Sequence, residues 1–239
     1  MEIKQIGNFQ AIALILIIVI NYLVLGTPRT LIAETGTGTI LNMFYVFLVT
    51  IILVFIVTKL FNNFKGKDIV DISEFLGGKV LKFIVGIVYI LYFLLILSTT
   101  VRIIVQDLEI IYFENVSISV LTLLIIASIV FVYKYGSSAI IKCNSIIAPI
   151  AGIIILVIAF SNIQDFSLDR IFPILGFGAK ETFITGASNI FAYSGLAILY
   201  FIMPMLKDSR NFKKISIVST ILIGILIIGS VSSLVLSFP

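Results

Sequence analysis

Seven apolar runs, each about as long as a bilayer is thick, take up most of this 239-residue chain. A helix needs roughly 20 apolar residues to cross the hydrocarbon core of a membrane. Hydrophobic residues make up 60% of the chain and charged residues 12%, whereas soluble domains contain about 25% charged residues. The sequence therefore predicts an all-α polytopic membrane protein that occupies the lipid bilayer as a single transmembrane domain over 1–239. The predicted spans are 9–36, 40–61, 83–105, 117–135, 140–161, 187–206 and 215–237.

The basic residues indicate how the chain is oriented. Cytoplasmic loops are enriched in lysine and arginine, and a cytoplasmic N-terminus places twelve of the 16 basic residues on the inner side. The inner set is Lys4, Lys59, Lys65, Lys67, Lys79, Lys82, Lys134, Lys142, Lys207, Arg210, Lys213 and Lys214. The other four, on or near the outer side, are Arg29, Arg102, Arg170 and Lys180. The first apolar run lacks a small-residue cleavage site, so we interpret it as a retained span rather than a signal peptide.

Several function classes are disfavoured by composition. The chain has no histidine and one cysteine, Cys143, so neither an internal disulfide nor a His/Cys metal cluster is expected, and Cys143 is interpreted as a packing residue. We expect no cofactor and no catalysis, because Ser194 has no histidine to act as its base and no two carboxylates share a buried face. The net charge of +4 is explained by the inner loops, so no nucleic-acid partner is expected.

The first span contains a polar interruption. Apolar residues fill nearly every position over 11–20, and the run then admits Asn21, Gly26, Thr27, Pro28, Arg29 and Thr30. In hydrocarbon each unpaired backbone N–H or C=O costs several kcal/mol, so a broken helix persists only where the freed groups face protein, ligand or a cavity. The alternative is that the helix ends near Leu25 and an outer loop comes after it.

The sixth span repeats this oddity, with Asn189, Ala192, Tyr193, Ser194 and Gly195 inside an apolar run. Small polar residues in a span also serve close helix packing, which stays an alternative here and is the simpler explanation of Thr220 with Gly224 and Gly229 with Ser233 in the seventh span. Interruptions at matching positions of two halves are typical of a midplane binding site in inverted-repeat transporters. The polar interruptions in spans one and six therefore predict a first five-span repeat over 1–161 and the start of a second repeat over 162–239.

Two other segments carry charge near the membrane. The segment 65–82 places Ile69, Ile72, Phe75 and Leu76 at helical spacing between charges, which predicts a short amphipathic helix in the interface. Arg102 lies towards the outer end of the third span, where we expect it to pair with Asp107 or Glu109 or to extend outward to the interface. The segment 161–186 is too polar to span and is predicted to form an ordered outer cap.

The order of these pieces resembles the B subunits of spore-germination receptors, in the spore permease family of the amino acid, polyamine and organocation transporter superfamily. The first matching piece is the run that contains Leu25, Pro28, Arg29, Ala33, Glu34 and Gly36. The others are KGKDIVDISEFLGG after span two, Val101 with Arg102, the set Ile140, Lys142 and Pro149, and FPILGFGAKETFITGA over 172–187. Together they cover essentially the whole chain.

The resemblance implies a ten-span fold of two inverted five-span repeats, with a small nutrient such as an amino acid held between spans one, three, six and eight. It also implies assembly with A and C subunits in the inner membrane of dormant spores. The implied ligand-binding residues are Asn21, Tyr22, Leu25, Gly26, Thr27, Tyr92, Thr99, Phe191, Tyr193, Ser194 and Gly195.

The chain departs from the family pattern at three points. Asn21 and Leu23 stand where relatives carry a G-x-G in the first break, and Ser145 replaces an acidic residue near the start of span five. The chain also stops after seven of the ten spans, so we expect a truncated product or a fragment. A ligand-sensing receptor subunit, an amino acid transporter and a membrane scaffold remain the competing functions. The absence of Asp, Glu or His deep within any span disfavours proton coupling.

Overall fold

A computed structural model describes residues 5–24, 27–113, 116–134 and 136–237, with the side chains of 21–24, 27–29 and 137–138 also outside the description. Its α-helices are α1 Asn8–Val24, α2 Thr27–Thr35, α3 Thr39–Asn62, α4 Ile69–Tyr112, α5 Ile118–Tyr133, α6 Ser137–Ser161, α7 Ala179–Phe183, α8 Leu199–Ile202 and α9 Phe212–Ser237. The 3-10 helices are Gly36–Gly38, Ile163–Asp165, Leu168–Ile171, Thr185–Ile198, Met203–Met205 and Ser209–Asn211.

All seven predicted spans fall on helical structure in the described residues. Five helical stretches are long and apolar enough to cross a membrane: Thr30–Asn62, Ile69–Tyr112, Ala139–Asp165, Ala179–Met205 and Ser209–Ser237. Two shorter apolar helices, Asn8–Ile20 and Ile118–Tyr133, lie at the first and fourth predicted spans. The chain is therefore an all-α integral membrane protein, as the sequence predicts.

The helix predicted at 65–82 forms the start of α4. Asp68 caps it, because its carboxylate accepts a hydrogen bond of 2.8 Å from the backbone N–H of Asp71. Helical geometry is lost at Gly77 and Gly78, where Gly78 has φ of 68°, a conformation that glycine adopts without steric cost. The first eight residues of α4 are thus separated from the long span after them. Their position in the interface stays a prediction.

The main core lies between α1, α3, α6, α9 and the 3-10 helix of the sixth span. Among its fully buried side chains are Ile15 of α1, Met43 of α3, Ile202 of α8 and Ile223 of α9. A separate small core joins α4 to α5 through Val101, Val105 and Leu121, so these two helices form their own packing unit. Cys143, expected as a packing residue, is instead exposed.

The two ends of the bundle are distinct. At the end that holds the start of α1, which we call the N-terminal end, Ile6 and Leu206 form an isolated parallel β-bridge. Its hydrogen bonds run from Ile6 N–H to Met205 O at 2.8 Å and from Lys207 N–H to Ile6 O at 2.9 Å. Nearby, the rings of Phe61 and Phe212 lie 5.4 Å apart. The N-terminal-end segments of spans one and six are therefore held together by backbone pairing.

At the opposite end, which we call the cap end, the segment 162–184 packs on the turn between α2 and α3. Close backbone approach makes this possible: a Cβ on Gly38 would lie 2.7 Å from Thr182 Oγ1 and 2.9 Å from the Leu175 carbonyl carbon. The Thr37 hydroxyl donates to the Pro173 carbonyl at 2.5 Å. Arg170 donates to the carbonyls of Leu236 at 2.8 Å and Ser237 at 2.6 Å, where it satisfies acceptors at the end of α9. The predicted cap is ordered.

Asn42 of α3 joins the cap to the sixth span. Its amide nitrogen donates to the carbonyls of Thr182 at 2.6 Å and Gly186 at 2.9 Å. Its amide oxygen accepts from Asn189 Nδ2 at 2.8 Å. Both asparagines are buried, at 0% and 7% exposure. These bonds place a polar network inside the bundle with both Asn42 amide atoms satisfied.

The small residues of α9 divide into two cases. Gly224 lies against the ring of Phe47 in α3, which a Cβ would overlap, and Thr220 beside it is fully buried. Gly229, by contrast, has open space around its Cα, while Ser233 donates to the Ala159 carbonyl of α6. The predicted close packing holds at the first pair and fails at Gly229.

Arg102 forms neither of the ion pairs considered for it within the described residues. The reason is helical spacing, because side chains meet at three or four residues apart. Asp107 follows Arg102 by five residues and therefore lies off the helix face of Arg102. Glu109 follows by seven residues and lies about 10 Å away along the axis at 1.5 Å per residue. Arg102 is exposed on α4.

Candidate functional site

The sixth span is wound mainly as a 3-10 helix over Thr185–Ile198, 14 residues long. Runs of 3-10 helix beyond three or four residues are uncommon, because side chains three apart eclipse and the hydrogen bonds are poorer. The sequence predicts a departure from regular helix here, but the expected opened helix with bare peptide groups is wrong for these residues. The backbone is tightened instead.

Residues at three-residue spacing explain the tight winding. In a 3-10 helix every third residue shares one face, and the buried face carries small side chains, which eclipse with little crowding. Its members are Gly186, Asn189, Ala192 and Gly195. A second buried row is larger and consists of Tyr193, Leu196, Leu199 and Ile202. The sixth span is thus shaped to lie against its neighbours along two adjacent rows.

The small row brings the sixth span against the first. A Cβ on Gly195 would lie 2.9 Å from the side chains of both Ile18 and Val19 in α1. Towards the cap end, a Cβ on Gly186 would lie 3.0 Å from the Thr35 side chain. The first and sixth spans therefore lie side by side and antiparallel. Moving along the chain from α1 to α2 leads towards the cap end, whereas moving along the sixth span leads away from it.

A cavity of about 240 Å³ lies between α3, α4 and the sixth span. Its lining is mainly apolar, with hydroxyl groups as the polar part. The lining residues are Thr50, Leu53, Val54, Val57, Tyr92, Ile190, Phe191, Tyr193, Ser194, Leu196, Ala197, Leu199 and Tyr200. This volume is below the roughly 300–1,000 Å³ of pockets for drug-sized ligands, so the space suits a small solute.

The hydroxyls of the cavity differ in their hydrogen bonds. Tyr92 donates to the backbone carbonyl of Ser194 at 2.9 Å, which links α4 to the sixth span. Thr50 donates to Val46 of its own helix at 2.8 Å and so offers an acceptor. Tyr193 is 3% exposed, and its hydroxyl has no hydrogen-bond partner among the described residues. A buried polar group of this kind normally has a partner, so Tyr193 Oη marks a place where one is missing.

The structure brings four predicted site residues together around this cavity: Tyr92, Phe191, Tyr193 and Ser194. Two others lie elsewhere. Thr99 is exposed, seven residues along α4 from Tyr92, and its hydroxyl bonds to Leu95 O at 2.8 Å. Gly195 faces α1 and not the cavity.

The predicted site residues of the first span fall outside the described part of the chain. Leu25 and Gly26 are not described, nor are the side chains of Asn21, Tyr22 and Thr27. What the structure gives is the helix on either side, α1 ending at Val24 and α2 beginning at Thr27.

Sequence reasoning missed Thr50 and Tyr200. Thr50 is 4% exposed, and its signal is a hydroxyl between the apolar runs 46–49 and 51–57 of the second span. Tyr200 lies in α8, just after the 3-10 helix, and nothing in the local pattern singles it out. Within the described residues no three Cys, Asp or Glu side chains group as a metal site does.

Comparison with known proteins adds a family to this geometry. The family model described as spore germination protein matches residues 5–238. The chain belongs to the spore germination protein family. This confirms the resemblance found in the sequence and makes the chain a germination-related membrane protein of the permease type.

Two relatives in this spore germination protein family come from Bacillus subtilis (strain 168). The chain is 25% identical to spore germination protein B2 over 192 residues, 80% of this chain and 52% of that protein. It is 24% identical to spore germination protein YndE over 210 residues, 85% of this chain and 58% of that protein. The chain thus spans little more than half the length of these relatives. No solved structure matches it significantly.

Proposed function

We propose that this chain is the membrane-embedded nutrient-binding part of a spore germinant receptor. Its ligand is a small amino-acid-like solute, and the bound state triggers germination through A and C subunits. The observation that carries the proposal is the unpartnered hydroxyl of Tyr193, buried at the wall of a cavity of about 240 Å³ and without a partner among the described residues. Family membership supports the germination role.

The chemistry of Tyr193 favours occupation of the cavity. A buried polar group without a partner costs about 1–3 kcal/mol. A ligand carboxylate that accepts from this hydroxyl, or an ammonium that donates to it, relieves that cost. The apolar lining then selects a solute with a hydrocarbon part, while Thr50 offers a second polar contact.

In this proposal the C-terminus of α1 at Val24 and the N-terminus of α2 at Thr27 favour a zwitterionic ligand. The C-terminus of a helix carries partial negative charge and the N-terminus partial positive charge. By the register of Gly195 on Val19 and of Gly186 on Thr35, the ends at Val24 and Thr27 come level with Phe191, on the cavity wall. No described residue of the first span lines the cavity, so the first-span candidates Asn21, Tyr22, Leu25, Gly26 and Thr27 stay in the proposed site on the resemblance alone.

We further propose how the chain is oriented in the membrane and how it divides into two repeats. The N-terminus is cytoplasmic, 1–161 forms the first five-span repeat, and the second repeat begins at 162. In this arrangement the interrupted spans one and six occupy equivalent positions. The β-bridge between Ile6 and Leu206 then lies at the cytoplasmic ends of both.

An amino acid permease is the second candidate. One observation favours it: the main core and the α4–α5 core are separate, as expected of two bodies that rock around a site. Sensor and permease differ in the step after binding. A permease accumulates its ligand across the membrane, whereas a sensor only changes its conformational population.

Binding of labelled amino acids to the chain in nanodiscs tests the proposal. We expect at least one member of an amino acid panel to bind, and Tyr193→Phe to weaken its binding several-fold by removing the hydroxyl alone. Tyr45→Phe is the matched control, because Tyr45 packs on Phe183 away from the cavity. Equal binding by both variants, or none by the wild type across the panel, contradicts the site.

Uptake into sealed vesicles then separates the two candidates. A receptor subunit binds the amino acid without accumulating it. Time-dependent accumulation that Tyr193→Phe abolishes supports the permease. Binding that persists after Tyr193→Leu and Ser194→Leu favours a scaffold whose polar residues only pack.

A further inference from the structure

A second cavity, of about 450 Å³, lies between α4 and α5. It is a groove of apolar side chains with a single charged residue. Its lining residues are Leu97, Ser98, Val101, Arg102, Ile118, Thr122, Ile126, Ile129 and Val130. We refer to it as the Arg102 groove.

Arg102 has no counter-charge in this groove. Within the described residues, no carboxylate lies within 4.0 Å of its guanidinium and no hydrogen-bond acceptor contacts it. An arginine within a span is unfavourable, most of all at the helix centre and less so towards an end. Arginines within spans pair with other groups, extend to the interface or mark binding sites, and within the described residues this one has no ion-pair partner.

The other polar groups of the groove leave the donor role to Arg102. The hydroxyls of Ser98 and Thr122 each donate to their own helices, to Leu94 O and Ile118 O, both at 2.8 Å. They therefore face the groove as acceptors at most. A guanidinium offers five N–H donors in a planar fork, which suits a bidentate contact to phosphate or carboxylate.

The position of Arg102 along α4 sets the depth of the groove. Asp107 follows Arg102 by five residues, about 7.5 Å at 1.5 Å per residue, in the direction of the cap end. Asp107 and Glu109 are the first acidic residues after the apolar run and indicate where the interface begins. An arginine at this depth extends its charged head to the headgroup level while its stem stays among apolar side chains.

From this geometry we infer that the Arg102 groove binds one anionic phospholipid of the cap-side leaflet. The phosphodiester accepts from the guanidinium of Arg102, and one acyl chain lies along Leu97, Ile126 and Val130. The charge demands an anion, and the apolar walls demand a hydrocarbon chain attached to it. An aqueous phosphate meets only the first demand and a neutral lipid only the second.

Native mass spectrometry of the chain released from nanodiscs tests this inference. The nanodiscs contain equal amounts of phosphatidylglycerol and phosphatidylcholine with identical acyl chains. We expect the wild-type chain to retain one phosphatidylglycerol in several-fold preference, and Arg102→Gln to remove the preference. Lys180→Gln is the matched control, because Lys180 is an exposed cation at the cap end outside the groove.

Two further arms keep the test decisive if Arg102→Gln misfolds. Thr122→Trp fills the groove and leaves the arginine, so retention of the lipid should fall. In the wild type, dodecyl phosphate should displace the lipid, whereas inorganic phosphate and dodecyl maltoside should not. The inference is overturned by equal retention of both lipids, by displacement with inorganic phosphate, by loss of preference in Lys180→Gln, or by an acidic protein partner that copurifies through Arg102.

Discussion

The hydroxyl of Tyr92 donates a hydrogen bond of 2.9 Å to the backbone carbonyl oxygen of Ser194. This bond joins α4, which shares a separate small core with α5, to the tightly wound sixth span. It also crosses the edge of the proposed ligand cavity, which both residues line. The Tyr92 side chain thus contributes to the coupling between the α4–α5 unit and the site.

We expect Tyr92→Phe to lower the free energy of unfolding by about 0.5–1.5 kcal/mol, the net contribution of one hydrogen bond. Thermal unfolding in detergent measures the stability, and amino acid binding measures the coupling to the site. Tyr112→Phe is the control, because Tyr112 ends the same helix and is 72% exposed. Equal effects of the two substitutions would show that the bond to Ser194 contributes nothing.

Asn42→Leu tests the network that ties the cap to the sixth span. The substitution keeps the side-chain size but removes the partner of Thr182 O, Gly186 O and the Asn189 amide, all buried. Each buried group left unpaired costs about 1–3 kcal/mol, so the unfolding temperature should fall markedly. Asn62→Leu on the exposed end of α3 is the matched control. A stable Asn42→Leu protein would mean that the network is not formed in the bilayer.

Gly224→Ala should lower the free energy of unfolding and Gly229→Ala should raise it, although both residues lie in α9. The added methyl group at Gly224 meets the Phe47 ring, and overpacking of this kind costs about 1–3 kcal/mol. At Gly229 there is open space, so alanine gains helix propensity of about 0.5–1 kcal/mol. Unfolding of the two variants in detergent gives the signs. A destabilised Gly229→Ala would place another helix against that face.

The long apolar runs of this chain can be predicted from its sequence, but the three-residue spacing in the sixth span cannot. Apolar runs of bilayer length are a strong signal, so the helices are predictable, and five helical stretches in the described residues are long and apolar enough to cross a membrane. Asp68 with Gly77 and Gly78 marks the short helix before span three. The winding of the sixth span is not predictable in this way, because Gly186, Asn189, Ala192 and Gly195 look like isolated small residues in the sequence. Their spacing of three is a signal for 3-10 helix that only burial makes visible.

The candidate site shows the same limit. Tyr92, Tyr193 and Ser194 are predictable as polar residues inside apolar runs, and they meet at one cavity. Thr99 belongs to the same class of residue, yet one hydrogen bond to its own helix satisfies it. Which hydroxyl lacks a partner depends on contacts between distant segments, and those cannot be deduced from local pattern.

The stability of the loop before α9 should depend on pH through Asp208. Hydrogen bonds from the side chain of Arg210, at 3.1 Å, and from its backbone N–H, at 3.0 Å, hold the pKa of Asp208 below its usual value. A lowered pKa means that the stabilising contribution is complete above the unfolded value of about 3.9 and is lost as pH falls through the folded value. Unfolding temperatures from pH 7 to pH 3 should drop more for the wild type than for Asp208→Asn. Parallel curves would contradict this role for the carboxylate.

Locking the β-bridge between Ile6 and Leu206 should separate ligand binding from any later movement. Both residues are buried, at 3% and 5% exposure, and bridged strands lie about 4.8 Å apart, within the range of about 4.4–6.8 Å between Cα atoms that a disulfide needs. We expect Ile6→Cys with Leu206→Cys, in a Cys143→Ser background, to form an intramolecular disulfide that mass spectrometry detects, with each single cysteine as a control. Because the cavity wall at Tyr193 and Ser194 lies twelve or more residues from Leu206 along the chain, the locked protein should still bind amino acid.

Uptake by the locked protein tests whether the bridge must open for transport. If it must, uptake should stop on oxidation and return on reduction. Unchanged uptake in the locked protein would show that these ends of spans one and six stay paired throughout the cycle.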